Sequence, residues 1–212
     1  MNEIFNFLLI LSLFYAIYQF VRQSSQLSYI ERYRFHPGIK QKLKNKHPTL
    51  TDDQLDLVLQ GLRDYFHICN QAKRRMVSMP SQVVDDAWHE FILFTRLYEL
   101  FCQKAFGRFL HHTPAVAMAT PTRAHSGIKS AWRLACQKET INPKTPRKLP
   151  LLFAIDKKLV INEGFFYSLN CIPGSNEYCA SHIGCGGGGG DSCNGDSGGG
   201  DSGCSGSCGG GD

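Results

Sequence analysis

Residues Met79 to Pro114 read MPSQVVDDAWHEFILFTRLYELFCQKAFGRFLHHTP, with no Gly or Pro between Pro80 and Gly107. Ser78 or Ser81, with Pro80 between them, supplies helix-start chemistry. At about 100° per residue, Val84, Ala87, Trp88, Phe91, Phe94, Tyr98, Phe101, Cys102, Ala105, Phe106 and Phe109 share one broad side. Asp86, Glu90, Lys104 and Arg108 take the opposite side. The spacing therefore predicts one long helix that faces a core. Asp85 and His89 stand one turn apart on the border between the two sides, with Arg96 further along the same line. A carboxylate and an imidazole at i and i+4 can meet or share a third partner.

The remainder of the chain is built from unlike pieces. It has 212 residues, a hydrophobic fraction of 42% and a net charge of +5, enough for one ordinary domain with appendages. Its 21 Gly and 9 Cys suggest a secreted disulfide scaffold only on average, because most of the Gly and five of the Cys fall after residue 178. The expected organisation is a transmembrane anchor over 1–24, a basic juxtamembrane segment over 25–50, a helical domain over 51–175 and a Gly/Ser/Asp/Cys-rich tail over 176–212. The fold class is mainly α.

Ile4 to Val21, IFNFLLILSLFYAIYQFV, carries no charge. As a helix it extends about 27 Å, close to the roughly 30 Å of a hydrocarbon layer. A cleaved signal needs a basic start and a small-residue cleavage site. Here the start is Met-Asn-Glu and the end Tyr-Gln-Phe-Val-Arg, which favours an anchor. Arg22, Arg32, Arg34, Lys40, Lys42, Lys44 and Lys46 follow the apolar run against Glu31 alone. The positive-inside rule then predicts a single-pass protein with its N-terminus outside and its domain in the cytoplasm. The same basic segment would be drawn to anionic lipid head groups, or would be the solvated face of a small helix. It lacks the interleaved aromatics of a nucleic-acid-binding module, so nucleic acid is not the expected partner. A protein partner is the alternative.

Pro37 is placed to open a short helix through Lys46, closed by His47-Pro48. Thr51-Asp52-Asp53-Gln54 reads as a capping box, and the helix behind it, carrying Leu55, Val58, Leu59, Leu62, Phe66 and Cys69, ends near Ala72. Further helix is expected over Gly127 to Glu139. Leu151 to Ile161 is ambiguous with a slight preference for helix, and Phe165 to Leu169 is read as extended. From Cys185 on, Gly, Ser, Asp and Cys cannot bury enough apolar surface to offset chain entropy, and disorder is expected.

Two constellations could hold a metal such as zinc; which ion, if any, the sequence leaves open. The first is Asp85 with His89, supplemented by His111 and His112 if the chain folds back; the plain alternative is that His89 is a buried, hydrogen-bonded helix histidine. The second is Cys179-x-x-His182-x-x-Cys185, with Cys204 and Cys208 behind it. Disulfides are the alternative for these thiols, and they would mark an oxidising compartment. Cys69 and Cys102 lie on apolar helix faces, where a thiol is a small core residue rather than a nucleophile. No P-loop, dinucleotide fingerprint, serine elbow or catalytic carboxylate pair is present, which removes those enzyme classes.

Asp85-x-x-Trp88-His89, the run from Trp88 through Pro114 and the Gly-rich tail resemble the glycine-rich domain-containing protein-like family, in a bacterial branch. Where larger members show W-H-x-H, this chain has Phe91. The resemblance implies a helical domain and no particular activity. The leading expectation is a membrane-tethered binding or scaffold module; the rival is a metal-binding protein or metal-dependent enzyme using Asp85, His89, His111 and His112.

Overall fold

A computed structural model describes residues 2–112, 121–169, 178–180 and 183. Its elements are α1 (Asn2–Arg32), α2 (Pro37–Lys46), α3 (Asp52–Ala72), α4 (Gln82–Leu93), α5 (Thr95–Phe106), α6 (Pro121–Lys138), α7 (Leu151–Lys158) and the two-residue strands β1 (Tyr167–Ser168) and β2 (Tyr178–Cys179). The chain is mainly helical, as expected. Most of the tail 176–212 lies outside the described residues.

α3 is the central helix and packs against α1, α2, α4, α6 and α7. Thr51 and Gln54 form the expected reciprocal cap, the Thr51 amide donating to Gln54 Oε1 at 2.8 Å and the Gln54 amide to Thr51 Oγ1 at 3.3 Å. Leu55, Val58, Leu59, Leu62, Phe66 and Cys69 are all buried. Phe66 sits among Trp88, Phe91, Phe101 and Phe106 at ring separations of 4.8 to 6.2 Å. Burying a ring of that size contributes roughly 2–3 kcal/mol. Gly61 allows the close approach of α4, since a Cβ there would stand 2.9 Å from Val84 Cγ2. A smaller aromatic group, Trp132, Phe153 and Tyr167, joins α6 and α7 to the parallel pairing of β1 with β2.

The predicted single long helix is two. α4 ends at Leu93 and α5 restarts at Thr95, with Phe94 leaving helical geometry at φ −84°, ψ 61°. The ladder is interrupted only briefly, because the Phe94 amide donates to Phe91 O and the Tyr98 amide to Phe94 O. The Phe94 ring lies 5.2 Å from the His36 ring, so the break is held by tertiary contact instead of by Gly or Pro. It lets Val84, Ala87, Trp88 and Phe91 bury on one bearing and Tyr98, Phe101, Cys102 and Ala105 on another, while Phe109 remains 40% exposed.

α1 has two characters. Its apolar residues from Ile4 to Val21 are exposed and touch nothing in the fold, so a soluble core helix is not what they form here. By length and composition this is the one described helix able to cross a membrane. Beyond Arg22 the same helix docks on the domain. Ile30 is fully buried, and Asn70 Nδ2 donates to Gln26 Oε1 at 3.1 Å. Gly107, the left-handed residue that closes α5 at φ +66°, lies under Arg22: a Cβ there would come within 2.4 Å of Nη2.

The segment 25–50, expected as a basic juxtamembrane stretch, contributes Ile30, Ile39, Leu43 and Leu50 to the core. His36 caps α2 by accepting from the Gly38 amide at 3.1 Å. The lysines of α2 face the domain's own acids: Lys40 meets Asp56 at 2.8 Å, Lys42 meets Glu90 at 3.4 Å and Lys46 meets Asp86 at 2.7 Å.

Candidate functional site

α4 carries two members of the site, and its first turn is fixed from outside the helix. Ser81 caps it, accepting from the Val84 amide at 3.2 Å. The carboxylate of Asp156, on α7, lies fully inside the protein at this helix end. It accepts from Ser81 Oγ at 2.6 Å, the Gln82 amide at 2.7 Å, the Val83 amide at 3.3 Å and the Phe165 amide at 2.9 Å. A negative charge there also complements the positive end of the helix dipole. The start of α4 is thus pinned to α7 and to the approach to β1.

On the opposite side of α4 the chain returns after α5. Trp88 Nε1 donates to the Tyr98 hydroxyl at 3.1 Å, and that hydroxyl donates in turn to Leu110 O. Arg108 Nη2 donates to Lys73 O at 2.6 Å. These bonds lay residues 107–112 across α4 and set the His112 ring edge-on to Trp88, 4.4 Å between centroids. His112 Nε2 then stands 2.9 Å from Asp85 Oδ1, and His89 Nδ1 stands 3.4 Å from Asp85 Oδ2. One ligand atom from each of Asp85, His89 and His112 lies within 4.8 Å of the others.

The three differ in access. The His112 side chain is 10% exposed, Asp85 21% and His89 46%, so the cluster is held from beneath and open on the His89 side. His89 is therefore not the buried helix histidine that periodicity allowed: its side chain remains 46% exposed even with the His112 ring 4.3 Å away. His111, adjacent to His112, turns the other way and rests 4.9 Å from the Phe109 ring, outside the cluster. Arg96 is exposed on α5 beyond the break.

Of the second constellation the structure describes Cys179 alone, and its sulfur is in a disulfide. His182 and Cys185 lie outside the described residues, as do Cys204 and Cys208. Cys69, Cys102 and Cys136 are free and buried. Burial pushes the thiols of Cys69 and Cys136 up to about 12 and raises Cys102 as well, which leaves all three protonated and unreactive.

One buried charge cluster escaped the sequence reading. Asp86, expected on the solvent side, is 3% exposed and accepts from Lys46 at 2.7 Å, from His47 Nε2 at 2.8 Å and from Gln82 at 3.1 Å. Desolvation raises its carboxyl, but the bonds from Lys46 and His47 outweigh it and hold the group below the usual carboxylate value. The signal was present in principle, since Asp86 falls only one residue before Ala87 on the buried side. Its partners are 39 and 40 residues away, beyond any local pattern. His67 sits beside Glu31, Nδ1 to Oε1 3.1 Å, out of line for a hydrogen bond; burial and then Lys138 lower its pKa.

A family model described as UCP032817-like matches residues 25–185, which takes in the docked end of α1, every helix from α2 to α7 and the Asp85, His89, His112 cluster. Nothing in that match links the chain to the glycine-rich domain-containing protein-like family. No curated protein and no solved structure matches the chain.

Proposed function

This chain belongs to the UCP032817-like family, and from that premise and the geometry above we propose a membrane-anchored helical module that holds one zinc ion between Asp85, His89 and His112. The observation that carries the reading is the convergence of a carboxylate and two imidazoles, drawn from α4 and from the segment after α5, within 4.8 Å. One oxygen and two nitrogen donors suit zinc, and three protein ligands leave a coordination position open. The open side is that of His89. A binding module would use that position for a partner's donor atom, and an enzyme for a substrate.

The test is metal content of the full chain purified in detergent. Zinc retained near one per chain, lost in Asp85→Ala and in His112→Ala and kept in His111→Ala, supports the site. No retained metal, together with no rise in melting temperature at 100 µM zinc, overturns it; a ligand at about a hundred times its Kd stabilises by roughly 2.7 kcal/mol. In that event Asp85 simply bridges the two histidines as a hydrogen-bond acceptor, the reading that the 2.9 Å contact with His112 favours, and the domain is a scaffold.

The exposed apolar face of α1 supports a single membrane pass, and the excess of Arg and Lys after it supports the N-terminus outside and the domain in the cytoplasm. The reverse orientation is favoured by one observation, the Cys179 disulfide, since such bonds persist in oxidising compartments. Labelling of intact cells with a membrane-impermeant thiol reagent, before and after reduction, decides it: labelling of Cys179 from outside overturns the cytoplasmic placement.

A further inference from the structure

Where the exposed part of α1 meets the domain, a groove of about 730 Å³ is lined by Ser24, Ser25, Ser28, Arg32 and Arg34, with Tyr29 and Tyr33 as its wall. We propose that this groove binds a phosphate monoester. Its lining offers two guanidinium groups, three serine hydroxyls and two phenols, and no carboxylate. Both arginines are exposed, and among the described residues neither has a carboxylate within ion-pair distance; the neighbouring Glu31 stands beside His67 instead, 3.1 Å from its Nδ1. That makes this face different from α2, where Lys40, Lys42 and Lys46 face acids of the domain itself. Guanidinium forks match phosphate oxygens two bonds at a time, and two of them match a doubly charged monoester better than a singly charged diester.

The groove is built on a stiff wall. Tyr33 packs 4.6 Å from Phe101 and 5.7 Å from Tyr29, and Tyr29 packs 5.9 Å from Phe101. Burial, with smaller contributions from Tyr29 and Cys102, pushes the Tyr33 hydroxyl up to about 12, so it remains a donor at neutral pH. Ser24, Ser28 and Arg32 recur at four-residue spacing on α1, one above another along the same face.

The height of the groove follows from α1 being unbroken. At 1.5 Å per residue Ser24 stands about 4–5 Å and Arg32 about 16 Å beyond Val21 for an upright helix. The head-group layer on each side of a bilayer is roughly 5–8 Å thick. Ser24 and Ser25 are then level with the lipid diesters, and Ser28 and the arginines stand above them, where a phosphate carried out on a phosphorylated head group, or on a soluble ester, would stand. The lipid source rests on the membrane reading proposed above; the soluble source does not.

The full chain is placed in nanodiscs of phosphatidylcholine alone, with phosphatidylinositol 4-phosphate, or with charge-matched phosphatidylserine, and its melting is followed by fluorescence of the buried Trp88 and Trp132. A rise with the phosphoinositide that phosphatidylserine does not reproduce, abolished in Arg32→Gln/Arg34→Gln and kept in Lys144→Gln/Arg147→Gln, supports a lipid monoester. A rise with glycerol 3-phosphate in phosphatidylcholine discs, weakened about tenfold in midpoint concentration by the same double variant, supports a soluble one. No rise with either probe, or a rise that survives Arg32→Gln/Arg34→Gln, overturns the proposal. Failure to enter nanodiscs counts against the membrane reading alone, and the glycerol 3-phosphate titration of the free protein then decides the groove.

Discussion

Replacing Asp156 by Asn keeps the shape of the side chain and removes its charge from the start of α4. The carboxylate is 1% exposed and accepts four hydrogen bonds, two on each oxygen. An amide retains one acceptor oxygen. Its least costly orientation leaves that oxygen to the Gln82 and Phe165 amides and turns the NH2 toward Ser81, whose hydroxyl can reverse and accept. The Val83 amide is then left without its partner inside the protein, which costs about 1–3 kcal/mol. Losing the charge at the helix N-terminus costs a further 0.5–2 kcal/mol or so in a buried setting. The sum is roughly 1.5–5 kcal/mol, and at about 2–4 °C per kcal/mol for a domain of this size the melting temperature falls by roughly 3–20 °C. Thermal unfolding of the full chain in detergent, followed by far-UV circular dichroism, measures it. Asp53→Asn, in the exposed first turn of α3, is the control and shifts melting by no more than about 2 °C, in line with a surface charge at a helix end. A melting temperature for Asp156→Asn as close to wild type as the control's would refute the account of how α4 is held.

Asp86→Asn removes the buried charge and one of the two acceptor oxygens that serve Lys46, His47 and Gln82, and is expected to cost about 2–3 kcal/mol in urea unfolding. Because the folded carboxyl of Asp86 is depressed, its contribution is present above about pH 4 and is lost as pH falls through the folded value, so the variant's stability curve is flatter on the acid side. His67 has the same sign from another cause: burial lowers its folded pKa, so the unfolded chain binds the proton more tightly, and stability holds above about pH 6.5 and declines below it. His67→Gln should remove that decline between pH 6.5 and 5, and a slope unchanged from wild type would count against the assignment. Gly61→Ala drives a methyl into Val84 and is expected to destabilise by about 1–3 kcal/mol, read as a lower urea midpoint at constant slope.

What could be read from sequence was what local chemistry decides. Pro37, the Thr51 capping box and the stripe from Leu55 to Cys69 predicted α2 and α3 within a residue of their ends, because caps and periodicity act over one or two turns. Asp85 and His89 could be paired by their spacing, but the choice between His111 and His112 could not. It depends on Trp88 and Tyr98 fixing the return segment, a contact made only once both helices are packed. The break at Phe94 left no trace of the usual kind, since the ring it packs against, His36, lies far off in the chain at the cap of α2. Asp156, inside the stretch Leu151 to Ile161 that was ambiguous in sequence, anchors a helix 70-odd residues earlier, with amide donors there 73 and 74 positions away.

Arg22, seated over Gly107, and Ile30, sunk beneath α3, leave no joint between the greasy half of α1 and the folded body. Thirty-one residues of uninterrupted helix make a mast about 46 Å long. Set in a bilayer as proposed, any lean that the mast adopts to suit a thinner or thicker membrane is passed undiminished to the body it carries. The direction in which Asp85, His89 and His112 face would then be governed by lipid thickness.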